Sequence, residues 1–172
     1  AGAAHVARTM GGDLPILGSG LPFRAGGRGG ADYFTHIPAG PLALRHVSDL
    51  YCYPNAVAVL RLTGAEVRAW LERAAGIFNQ ITPGKADQPL LCDGFPSYNF
   101  DILHGTTFGI DLSQPEGARI ADLRVDGTPL RAEDEFHVAT SSYRATGTGG
   151  FNTSAALSLG PETMRDVLVR HM

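Results

Sequence analysis

The segment Thr63-Gly64-Ala65-Glu66 constrains this chain most. A threonine followed three residues later by a glutamate satisfies two free amides at a helix start, with Thr63 as N-cap and Glu66 at the third helical position. Val67, Trp70, Leu71, Ala74 and Phe78 then recur at spacings of three and four. That spacing draws one apolar stripe along a helix. It predicts a helix ending near Asn79, before Pro83-Gly84. Just upstream, Val57, Val59 and Leu60 read as a strand rich in β-branched residues.

The other elements are shorter. Residues 14–17 read as a buried strand that empties into a glycine-rich loop, with Gly18, Gly20, Gly26, Gly27, Gly29 and Gly30. Residues 42–50 suit a short helix, and residues 81–97, rich in Pro, Gly and Asp, a long loop. Strands are expected over 98–103, 107–112, 118–125 and 135–140, with Asp126-Gly127 as a turn. A second glycine loop covers 147–150. Residues 161–172 look helical, with Met164, Val167 and Leu168 on one face. The chain stops inside that pattern, which suggests a piece of a longer polypeptide. Strands with two or three helices point to an α/β or α+β domain built on a mixed sheet with flanking helices.

A length of 172 residues suits one compact domain with its own core. The net charge of −3 lacks the basic footprint of a nucleic-acid binder. No run of 18 apolar residues is present, so no membrane span is expected. The two cysteines, Cys52 and Cys92, read as separate thiols rather than a disulfide framework.

Catalytic chemistry is poorly represented. A two-metal phosphoesterase needs clustered Asp, His and Asn ligands holding two ions about 4 Å apart. The histidines (His5, His36, His46, His104, His137 and His171) are scattered, with no H-x-H, D-x-H or H-E-x-x-H. Asp101 and His104 lie close in sequence, a spacing more typical of a local hydrogen bond than of a metal site. There is no G-x-S-x-G elbow. Ser141 and Ser142, at a strand end, are expected to cap or bond the backbone. No catalytic or metal-ligating residue is therefore assigned within the chain.

Binding chemistry is better represented. The first glycine loop carries Arg24 and Arg28. Guanidinium groups present a fixed donor fork to phosphate oxygens, so flexible backbone plus arginine suits an anion clamp as well as an ordinary turn. Tyr53 closes Tyr51-Cys-Tyr-Pro-Asn55 just before a strand, and Tyr143 follows one. Two rings at strand–loop junctions either cover a core or sandwich a flat base, where stacking contributes about 1–3 kcal/mol per base.

Five ordered segments then carry a resemblance. They are Asp49-Leu-Tyr-Cys-Tyr-Pro-Asn55, Ala75-Gly-Ile-Phe-Asn-Gln80, Tyr98-Asn-Phe-Asp101, Ile110-Asp-Leu-Ser-Gln-Pro115 and Val138-Ala-Thr-Ser-Ser-Tyr-Arg144. Over roughly residues 13–155 the chain resembles the C-terminal domain of the 5′-nucleotidase family. Tyr-Asn-Phe-Asp and Asp-x-x-Gln-Pro look like the 2′,3′-cyclic-nucleotide 2′-phosphodiesterase/3′-nucleotidase branch in particular. The resemblance implies a substrate-recognition domain of a periplasmic or extracellular nucleotidase, spanning residues 1–172 and cut at both ends. It implies an N-terminal metallophosphoesterase domain with two divalent metal ions on the same polypeptide, outside this chain. This chain alone is then expected to be inactive. The implied partners are a nucleoside or nucleotide and that catalytic domain, with no nucleic-acid polymer and no membrane span.

By motif position the resemblance makes Tyr53 and Tyr143 the base-stacking rings, Asn55 the amide that reads the base edge, and Arg24 a phosphate contact. One departure stands out. The familiar 5′-nucleotidase loop carries Gly-Gly-Asp-Gly, whose aspartate binds ribose hydroxyls, whereas residues 147–150 here read Gly-Thr-Gly-Gly. A loop without a carboxylate suits a ribose phosphorylated at its 2′ and 3′ oxygens, which an aspartate would repel. The alternatives are a 5′-nucleotidase or UDP-sugar hydrolase-type domain, a relative acting on a carrier-bound sulfur compound, a nucleotide-binding module without hydrolysis, or a purely structural role with both tyrosines in the core.

Overall fold

The computed structural model describes residues 13–20, 24, 29–30, 32–151 and 156–172. Five strands form one mixed sheet: β1 (Ile16–Gly20), β2 (Ala56–Thr63), β3 (Ile102–His104), β7 (Glu135–Ser141) and β8 (Ala156–Thr163). Their order is β3-β1-β7-β2-β8. The pair β1 and β7 is parallel, and the other pairs are antiparallel. A smaller antiparallel sheet joins β4 (Thr106–Ile110), β5 (Ile120–Val125) and β6 (Thr128–Pro129). The helices are α1 (Leu44–Leu50), α2 (Gly64–Ala75), α3 (Ser142–Ala145) and α4 (Met164–Val169). The mixed sheet with helices is the expected fold class.

Helix α2 starts where the capping box places it. The Thr63 amide donates to Glu66 Oε2 at 2.8 Å, and the Glu66 amide to Thr63 Oγ1 at 3.3 Å. Its stripe of Val67, Trp70 and Leu71 packs on Leu17, Leu60, Leu62, Phe136, Val138 and Phe151 as the main core. Full burial of one such side chain contributes about 1.5–3 kcal/mol. Glu72 fixes the helix to β5, accepting the amides of Arg119 at 2.9 Å and Ile120 at 2.7 Å.

Several boundaries differ from the sequence expectation: β1 runs on through Gly18 and Gly20, which pair with β3 instead of opening a loop, and three further differences have a clear physical reason. Helix α2 ends at Ala75 rather than near Asn79. The buried Arg119 guanidinium takes the carbonyls of Ala75 at 2.9 Å and Phe78 at 2.8 Å, and the chain turns there instead of continuing. The strand expected over 98–103 opens with a 3-10 turn, Ser97–Asn99, and narrows to β3. The helix expected from residue 161 starts at Met164, because β8 runs through Thr163 with Pro161 inside it. A proline removes a ladder donor, and β8 tolerates it as an edge strand with register shifts against β2. A second capping box, Thr163 with Asp166, then starts α4.

Candidate functional site

Strand directions gather the site. The pairing of Val57 with Ser141 sets the start of β2 beside the end of β7. Tyr53 and Asn55, just ahead of β2, therefore share a sheet end with Tyr143, just after β7. The parallel pairing of β1 with β7 brings the end of β1 to the same end, and Arg24 lies there beside Tyr53. Gly20 pairs with Ile102, which adds the turn holding Tyr98. A hydrogen bond from the Ala56 amide to Ser142 Oγ, at 3.2 Å, clasps the first two segments together. Ser141 caps α3 by accepting the Arg144 amide at 3.4 Å. Both serines thus serve the backbone, as expected.

An open cleft of about 270 Å³ lies at this end, lined in part by Arg24, Tyr33, Asp49, Tyr53 and Tyr98. Tyr53 is 47 % exposed, so it is no core residue. Partial burial pushes its phenol above the usual tyrosine range, and Cys52, Tyr33 and Tyr98 add to the rise. Arg24 lies 3.8 Å from Asp49, with both side chains well exposed, and its guanidinium carbon stands 6.0 Å from the Tyr33 ring centre. Arg28 lies outside the described residues. Asn55, two residues after Tyr53, donates its side-chain amide to the Tyr51 hydroxyl at 3.0 Å. Tyr143 is partly exposed, with the Arg144 guanidinium carbon 5.3 Å from its ring centre. Neither Asn55 nor Tyr143 is among the described lining residues of this cleft. Both cysteines are free thiols, Cys52 exposed beside Tyr53.

Behind the cleft lies a buried polar hub. Arg144 and Asp101 are both fully enclosed, and the guanidinium meets the carboxylate twice, each contact at 2.9 Å. Trp70 Nε1 donates to the same carboxylate at 3.0 Å. Arg144 also donates to Asn99 Oδ1 at 3.1 Å, to the Tyr98 carbonyl at 2.6 Å and to the Thr148 carbonyl at 3.5 Å. All five guanidinium hydrogens are thereby occupied. Phe151 packs against the guanidinium at 4.3 Å and against Trp70 at 4.9 Å. Burial pushes the Asp101 carboxyl above the usual carboxylate range, against the pull of Arg144 and Trp70. Asp101 is thus bonded to Arg144 and Trp70 rather than held in a local pair with His104.

The hub also explains the second glycine loop. Gly149 has φ +87°, and a Cβ there would stand 2.6 Å from Asn99 Oδ1 and 3.1 Å from Arg144 Nη1. An aspartate at this position requires a different loop path. Sequence reasoning missed the hub and the lining residues Tyr33, Asp49 and Tyr98 as site components. Tyr98, Asp101 and Arg144 lay within motifs, but only the fold shows what they touch.

Among the described residues, no group of three or more His, Cys, Asp or Glu side chains is placed to hold a metal ion. The buried carboxylates Asp101 and Glu72 are spent on Arg144, Trp70 and backbone amides. The described residues therefore do not fit a dinuclear metal centre. No helix among them is long and apolar enough to cross a membrane.

Residues 23–156 match the family described as 5′-nucleotidase, C-terminal domain. The chain is 49 % identical to the trifunctional nucleotide phosphoesterase protein YfkN of Bacillus subtilis, over 81 % of this chain and 10 % of that protein. It is 35 % identical to a 2′,3′-cyclic-nucleotide 2′-phosphodiesterase/3′-nucleotidase of Haemophilus influenzae, over 92 % of this chain and 27 % of that one. The chain thus spans about a tenth to a quarter of these relatives. The fold matches the 5′-nucleotidase precursor of Thermus thermophilus with a TM-score of 0.66 at 22 % identity, covering 99 % of this chain and 31 % of that one. The family match over residues 23–156, most of this mixed-sheet domain, makes this chain a member of the 5′-nucleotidase C-terminal domain family.

Proposed function

We propose that this chain is the substrate-recognition domain of a metal-dependent nucleotidase that hydrolyses 2′,3′-cyclic nucleotides and 3′-nucleotides. The observation that carries the reading is the gathering of Arg24, Tyr53, Asn55 and Tyr143 at one end of the sheet. An exposed phenol at a cleft is suited to stacking a base, and a loosely held arginine beside it is free to turn to a phosphate. Tyr143 supplies the second ring, and Asn55 the amide for the base edge. The names of the relatives support the substrate class. The uncharged Thr148-Gly149 step supports a ribose carrying phosphate at its 2′ and 3′ oxygens.

On this reading the chain binds and orients, and bond cleavage belongs to a metallophosphoesterase domain with two divalent ions, N-terminal on the same polypeptide. The whole enzyme works in the periplasm or outside the cell. The test is a calorimetric titration of the chain with adenosine, 3′-AMP and 2′,3′-cyclic AMP, repeated with Tyr53→Ala and Tyr143→Ala. Saturable binding that both substitutions weaken about tenfold or more is expected from loss of one stacked ring. Binding untouched by either substitution refutes the base-recognition role.

A further inference from the structure

The 3-10 turn Ser97–Asn99 has a role that its short length hides. Pro96, Ser97 and Tyr98 line the same cleft as Tyr53. The turn is held from behind by the hub. Arg144 binds the Tyr98 carbonyl at 2.6 Å and the Asn99 side chain at 3.1 Å, and Asp101 is locked to Arg144 and Trp70. Tyr98 is itself only partly buried, whereas its neighbours Ser97 and Asn99 are buried. The turn therefore presents one aromatic side chain to the cleft from a fixed backbone. Tyr98 also lies near enough to Tyr53 to raise its phenol. A ring on a rigid base loses little freedom when a ligand arrives, so its contact area converts efficiently into affinity.

We propose that Tyr98 is a third aromatic recognition residue, which contacts the nucleobase together with Tyr53 and is positioned for that contact by Arg144. The inference rests on reading the cleft as the base site. It adds a specificity wall that neither Tyr53 nor Tyr143 provides. Because Arg144 grips the backbone carbonyl of residue 98 rather than its ring, Tyr98→Ala leaves the hub its partners. The substitution is therefore a clean probe.

The experiment titrates the 172-residue chain with adenosine and 2′,3′-cyclic AMP, comparing wild type, Tyr98→Ala, Tyr98→Phe and Tyr53→Ala, with thermal melts of each. Tyr98→Ala is expected to weaken both ligands about tenfold, as loss of one stacked ring does. Tyr98→Phe, which keeps the ring, is expected to stay within about twofold of wild type. If Tyr53→Ala weakens binding and a folded Tyr98→Ala does not, the role of Tyr98 is overturned while the base-site reading stands. If neither substitution changes the titration, or wild type shows no saturable binding, both fall together.

Discussion

Two arginine–aspartate pairs sit close to the same cleft and behave as opposites. Arg144–Asp101 is fully enclosed, doubly bonded, and has each guanidinium hydrogen spoken for. Arg24–Asp49 is a single contact of 3.8 Å between well-exposed side chains. Side-chain chemistry is the same; the surroundings assign the roles. In the interior neither partner can leave, because an unpaired buried charge is costly. At the surface water replaces either partner at little cost. The first pair holds the walls of the cleft in place. On the proposed reading, the second leaves an arginine available to an incoming anion.

The most direct challenge to this contrast is to neutralise one partner of each pair. Asp101→Asn strips the carboxylate charge from a buried guanidinium, and should cost about 3–5 kcal/mol of folding stability. Chemical denaturation of the variant checks this directly. A loss near that of an ordinary surface substitution would mean that Arg144 finds another partner, and the hub would not be what fixes Tyr98 and the glycine loop.

This contrast also marks where the sequence was legible. The Thr63–Glu66 box and its apolar stripe are local patterns, and the helix start and core face follow from them. The family motifs were local too. Arg144 and Asp101, by contrast, lie 43 residues apart and meet through strand pairing that no local pattern encodes. Arg144 reads as one more charge in a loop until the fold encloses it. The same holds for the end of α2, where a partner from residue 119 takes the last carbonyls. Strand β8 was hidden because Pro161 argues against a strand unless it lies at an edge. Tyr33 and Tyr98 were invisible as cleft residues, since tyrosines far apart in sequence share a wall only once β1, β2 and β3 are aligned.

The matching substitution at the surface should behave differently. Arg24→Gln is expected to change folding stability by no more than about 1 kcal/mol, because its pair is solvent-exposed. Its effect should appear in ligand binding instead. Affinity for 3′-AMP should fall while affinity for adenosine, which has no phosphate, stays unchanged. The gap between the two ligands in wild type should also shrink as salt rises, since exposed charges are screened over about 10 Å at 0.1 M. An equal loss for both ligands would assign Arg24 to the base or sugar, and the two-pair comparison would lose its functional half.

The smallest effect concerns an exposed charge that does contribute to folding. Asp166 accepts hydrogen bonds from the Thr163 hydroxyl at 2.7 Å and the Thr163 amide at 2.9 Å, which hold its carboxyl below the usual carboxylate range. A lowered folded-state value means that the unfolded chain takes up the proton first. The stabilisation is therefore complete above the ordinary carboxylate value of about 3.9 and is lost as pH falls through the lower folded value. Wild type and Asp166→Asn should consequently differ in Tm near neutral pH and converge in acid. A Tm difference that persists unchanged into acid would show that Asp166 does not hold the cap through its charge.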